Sequence, residues 1–102
     1  SVELNRLGLS LEDMNSRLRK KFSIDANIEG VVVTKLDLNG LAAEKGVRLG
    51  DVLVEVDQTK VRTAVAVKKL VTKIIESKNK KSVLFTINRQ GSIRFLGLRV
   101  AE

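Results

Sequence analysis

The stretch "AAEKGVRLGDVLVEV", residues 42–56, sets several structural signals side by side. Ala42 and Ala43 favour helix, but the length before Gly46 permits barely two turns. Gly46 suits the left-handed backbone that stops a helix. Asp51, following Gly50, reads as a turn or strand-start residue. After it Val52, Val54 and Val56 point one way, while Leu53 and Glu55 point the other.

Working outward, "GVVVTKL" at residues 30–36 is a β-branched run closed by the turn signal "DLNG", hence a largely buried strand. Upstream, "EDMNSRLRKKF" predicts a short helix capped by Asp13, with Met14, Leu18 and Phe22 recurring every four residues. Its basic residues fall in the last turns, where the helix dipole favours cations. Before it, "NRLGLSL" predicts a strand from Leu9 to Leu11. Downstream, "RTAVAVKKLVTKIIESKN" is the longest helix, with Thr63 as N-cap and an end near residues 77–79. Val67, Leu70, Val71, Ile74 and Ile75 form its apolar stripe. The final stretch predicts a hairpin turning at Gln90 and Gly91, with Val83, Phe85 and Ile87 alternating on one strand and Ile93 and Phe95 on the other.

The order is strand, helix, strand, short helix, strand, long helix, strand, strand. Hairpin-type turns dominate, which favours a small curled antiparallel sheet or sandwich closed by one long helix over a parallel doubly wound sheet. At 102 residues the chain is expected to be one domain, residues 1–102. Its opening on Ser1 suggests excision from a longer chain. No apolar run approaches the roughly 18–20 residues of a membrane span.

The chain has neither cysteine nor histidine, so no Ser-His-Asp or Cys-His relay can be built, and the usual zinc ligands are lacking. The pairs Glu12-Asp13 and Asp25/Glu29 read as solvated or capping residues, and Ser10 has no ordinary base. Nothing here carries a catalytic site. The glycines of a dinucleotide loop and the lysine of a phosphate loop are also missing, so no cofactor or metal is expected. The net charge of +7 raises nucleic acid as a partner. Against that, there is no Trp or Tyr, and Phe22, Phe85 and Phe95 stand where core residues are expected.

What remains is Leu7-Gly8-Leu9 beside a strand, with a long helix in the same small chain. The bend reads either as a plain turn or as a nest of main-chain N–H groups able to hold a carboxylate at the end of an added strand.

"RLGLSL", "GVVVTKLDLNGLAAEKGVRLGDVLVEVDQTKV" and "RTAVAVKKLV" resemble a PDZ domain of the bacterial HtrA/DegP-like (protease Do) periplasmic serine endoproteases. "AAEKGVRLGDVLVEV" is the most specific part. The insert "EDMNSRLRKKFSI" and the ending "SIRFLGLRV" look most like the second, C-terminal PDZ domain of that family. The resemblance implies a small, partly open antiparallel barrel or sandwich of five to six strands, closed by one long and one short helix, with an extra N-terminal helix. It implies a non-catalytic module of a periplasmic protease that captures C-termini or exposed apolar segments of unfolded proteins by strand addition. Leu7, Gly8 and Leu9 would form the carboxylate-binding loop and Leu9, Ser10 and Leu11 the pairing strand; Ala64, Lys68 and Val71 would line the pocket. Ala64 stands where eukaryotic relatives selecting Ser or Thr carry histidine, so that selectivity is not expected. The alternative role is contact between PDZ domains in the assembled protease; a basic adaptor for nucleic acid or anionic surfaces ranks behind both.

Overall fold

Short valine- and leucine-rich runs separated by glycine- and asparagine-bearing turns fold into one open antiparallel sheet. The computed structural model describes residues 1–77 and 79–100. In chain order the elements are β1 (Val2–Leu4), β2 (Leu9–Asp13), α1 (Ser16–Phe22), β3 (Val31–Leu36), α2 (Leu41–Glu44), β4 (Val52–Val56), β5 (Thr59–Lys60), α3 (Ala64–Glu76), β6 (Ser82–Arg89) and β7 (Ser92–Arg99). The sheet runs β1-β2-β3-β4-β6-β7, with β5 paired to β4, and every pairing is antiparallel. It does not close, so the partly open arrangement expected from the sequence is found, with β1 and β5 as two short additional strands.

The core lies between one face of this sheet and α3. Leu7, Leu11, Val31, Val67, Phe85 and Ile87 are almost wholly buried in one cluster. Along α3, Val67 and Val71 are buried and Leu70, Ile74 and Ile75 pack partly against the cluster, as the stripe predicts. Thr63 caps the helix: its side chain accepts a hydrogen bond from the Ala66 N–H at 3.1 Å. The hairpin turns at Gln90 and Gly91, both with positive φ, which matches the right-handed strand twist.

Four expectations are corrected. Asp13 does not cap α1; Asn15 does, accepting from the Leu18 N–H at 2.9 Å, and Asp13 ends β2 instead. Met14 therefore lies outside the helix. In β4 the simple alternation fails because the register with β6 shifts between Leu53 and Glu55. That bulge inserts one extra residue and so turns both Leu53 and Val56 inward. On β7, Ile93 and Phe95 are exposed, at 51% and 67%. They pair with Asn88 and Thr86, whereas the inward residues Phe85 and Val83 pair with Leu96 and Leu98. Finally, Phe22 is only half-buried, against Gly50, so Phe85 alone of the three phenylalanines is a core residue.

Candidate functional site

The bend at residues 5–8 joins β1 to β2 and is fixed from both sides by main-chain hydrogen bonds. The Leu7 carbonyl accepts from the Ala42 N–H at the start of α2 (2.8 Å), and the Gly8 carbonyl accepts from the Asp37 N–H (2.9 Å). Gly8 has φ +77, and a Cβ there would lie 3.1 Å from Gly40 Cα and 3.3 Å from Asp37 Cβ. Glycine is thus required twice over, by its left-handed backbone and by the close approach of the loop after β3.

The bend points two N–H groups at a single oxygen. The N–H groups of Leu7 and Gly8 donate to the Leu4 carbonyl at 3.0 and 2.9 Å, and Gly8 also reaches the Asn5 carbonyl at 3.2 Å. Leu4 is the last residue of β1, which lies antiparallel along β2 in the register Val2–Leu11, Glu3–Ser10, Leu4–Leu9. On its other side β2 pairs with β3, with a register shift between Ser10 and Leu11.

Leu7, Leu9, Leu11, Ala64 and Val71 come together in the core cluster, and Leu4 joins them. Lys68 is brought near but not into it. It is exposed and lines a cleft of about 600 Å³ between α3 and β1, together with Val2, Glu3, Val65, Lys69 and Lys73. β2 and α3, the two walls, are tied at their ends: Asp13 Oδ1 accepts from the Ala64 N–H at 2.7 Å. Sequence reasoning missed Val2 and Leu4. Their only signal is one alternation, Val2 and Leu4 outside and Leu9 and Leu11 beyond a four-residue loop ending in glycine.

Among the described residues no group of three acidic, His or Cys side chains is placed to hold a metal ion, and no helix is long and apolar enough to cross a membrane.

Strand, bend and helix in this arrangement define a PDZ domain, and the PDZ family model matches residues 5–100. The chain belongs to the PDZ domain family. Within it, the chain is homologous to part of the probable periplasmic serine endoprotease DegP-like of Brucella suis biovar 1 (strain 1330), at 38% identity over 74 residues. That match covers 72% of this chain and 14% of the relative, so the chain spans a small fraction of the relative's length. The corresponding protein of Brucella melitensis biotype 1 (strain ATCC 23456 / CCUG 17765 / NCTC 10094 / 16M) matches with the same figures. Two solved structures share the fold. The HtrA-type protease AlgW with decapeptide matches at TM-score 0.76 and 20% identity, covering 93% of this chain and 28% of that one. The HtrA3 PDZ domain bound to a phage-derived ligand (FGRWV) matches at TM-score 0.72 and 14% identity, covering 91% of this chain and 81% of that one.

Proposed function

We propose that this PDZ domain is the non-catalytic peptide-binding module of a periplasmic DegP-like serine endoprotease, corresponding to its second, C-terminal PDZ domain. It captures C-termini or exposed apolar segments of unfolded proteins by strand addition and thereby regulates the protease. Leu7, Gly8 and Leu9 hold the terminal carboxylate. Leu9, Ser10 and Leu11 pair with the guest backbone, while Ala64, Lys68 and Val71 flank its last side chain.

The observation that carries this reading is the convergence of the Leu7 and Gly8 N–H groups on one oxygen at the end of an extended strand. A carboxylate oxygen in that position would receive charge-assisted hydrogen bonds, roughly twice as strong as those to a neutral carbonyl. The apolar surroundings of Leu4 suit a terminal side chain of similar size. Peptide-bound relatives with the same fold support the assignment. Titration with apolar peptides, as free acids and as C-terminal amides, tests it. The free acid should bind and shift the amide resonances of Leu7 to Leu11. Equal affinity for acid and amide, or shifts confined to other residues, would overturn it.

A second reading, contact between PDZ domains in the protease oligomer, draws on Ile93 and Phe95, which lie exposed on the edge strand β7. Loss of self-association on Phe95→Ser would separate the two roles.

A further inference from the structure

A guest strand needs the outer edge of β2, and the chain's own β1 lies there. β1 occupies it in the manner of a guest. It runs antiparallel to β2 with its C-terminal end at the bend. Its last residue gives its carbonyl to the Leu7 and Gly8 N–H groups. The Leu4 side chain is 6% exposed within the Leu7, Leu9 and Leu11 cluster. Two residues earlier Val2 packs partly against the same cluster, while the intervening Glu3 is exposed in the cleft with Lys68, Lys69 and Lys73.

We propose that Val2, Glu3 and Leu4 form an internal ligand of the peptide groove, and that guests bind by displacing it. The proposal rests on the groove reading above and adds its regulation and preferred ligand. That ligand is a C-terminus with an apolar last residue of about leucine size, an acidic residue before it, and a β-branched residue before that. The acidic position follows from Lys68, Lys69 and Lys73, which line the cleft together with Glu3 and outnumber its other acid, Glu76; none of the three lysines is in an ion pair among the described residues.

Displacement is feasible because β1 is only three residues long and has a neighbouring strand on one side only. Burial of the apolar Leu4 side chain holds β1 in place, and a guest of the same size returns that contribution when it takes the place. The guest adds a full negative charge at the bend, which the Leu4 carbonyl lacks. Against this, β1 is tethered by a short loop and acts at an effective concentration on the order of millimolar. Weak or amidated peptides therefore lose the competition, and apparent affinity falls by the fraction of molecules with the groove open.

The test uses the full chain, the variants Leu4→Asp and Glu3→Pro, and the peptide Ser-Val-Glu-Leu as free acid and as amide. Leu4→Asp makes burial of the side chain unfavourable, and Glu3→Pro removes a main-chain donor from the middle of β1. Each folded variant should bind the free acid about ten-fold or more tighter than the unaltered chain. In the unaltered chain, saturating free acid should move the Val2, Glu3 and Leu4 resonances to unstructured positions. Equal affinities, or peptide bound while those three resonances stay put, would overturn self-occupancy but leave peptide binding standing. No binding by folded variants would overturn both. The unaltered-chain arm decides even if the variants fail to fold.

Discussion

The Asp13 carboxylate, at the end of β2, accepts a hydrogen bond from the main-chain N–H of Ala64, the first residue of α3, at 2.7 Å. Residues far apart in sequence are thereby joined where the end of β2 meets the start of α3. Thr63 satisfies a second free donor of the same helix end, the Ala66 N–H. A negative charge at this position also opposes the positive end of the helix dipole.

Replacing Asp13 by Ala should therefore cost about 1 kcal/mol, the usual loss for a helix-capping acceptor. Asp13→Asn keeps an acceptor oxygen and should recover most of that. Urea midpoints of the three proteins measure it. Equal midpoints for all three would mean that water replaces the carboxylate without loss.

Gly8 should tolerate substitution poorly for reasons internal to the fold. Its φ of +77 costs a side-chain-bearing residue about 1–3 kcal/mol. A Cβ would also press on Gly40 and Asp37, both main-chain-anchored neighbours. Gly8→Ala should lower stability by that amount, and Gly8→Val by more, since β-branching disfavours the left-handed region further. Thermal unfolding checks the order. A Gly8→Val protein as stable as the parent would show that the bend relaxes freely.

How far the sequence revealed this site depends on the length of each signal. The bend, β2 and the buried face of α3 were legible because glycine chemistry and apolar periodicity extend over several residues at Leu7 to Leu11 and Ala64 to Val71. β1 was not, because Val2 and Leu4 provide a single alternation and no turn dipeptide follows them. The facing of β7 was available from the turn itself. A two-residue turn at Gln90 and Gly91 pairs Phe85 with Leu96, so Leu96 and Leu98 must face inward and Ile93 and Phe95 outward. Asp13 looked like a local helix cap because sequence proximity shows nothing of a helix start at Ala64 folding onto it. The β4 bulge likewise arises from pairing with β6, which no pattern within β4 records.

Asp57 gives the fold a dependence on acid. Burial works to raise its pKa, but hydrogen bonds from the Leu84 N–H and the Lys80 ammonium, each 2.8 Å, and the charge of Lys80 together hold it below its ordinary value of 3.8. A carboxylate whose pKa is depressed by folding contributes stability above the unfolded-state value and loses it as pH falls through the folded-state value. Stability should thus decline as pH falls below about 4, and Asp57→Asn should flatten that part of the profile. At pH 7 the same change should cost about 1 kcal/mol, from the weakened hydrogen bonds. Urea midpoints measured from pH 2 to 7 provide the comparison; parallel curves for the two proteins would assign the acid sensitivity to other carboxylates.

Asp51 and Arg89 tie the loop after α2 to β6, and loss of Asp51 should be a damaging change. Its side chain is 1% exposed. Arg89 Nε and Nη2 donate to its two oxygens at 2.8 Å each, the Arg48 N–H donates at 2.8 Å, and Arg89 Nη2 also reaches the Gly46 carbonyl at 2.7 Å. The hydrogen bond to Asp51, chiefly, raises the pKa of Arg89 above its ordinary value, so this partner stays charged at any ordinary pH. Asp51→Ala would strand the charge of Arg89, whose side chain is only 20% exposed, at a cost of about 3–5 kcal/mol. Removing the charge as well should relieve much of this: Asp51→Ala with Arg89→Met should be more stable than Asp51→Ala alone. Arg89→Lys should lie between parent and Asp51→Ala, because an ammonium cannot match both oxygens in the fork geometry. A double-mutant cycle by chemical denaturation reads the coupling directly. If the double variant proves no more stable than Asp51→Ala, the cost comes from the orphaned Arg48 N–H and the emptied volume rather than from the stranded charge.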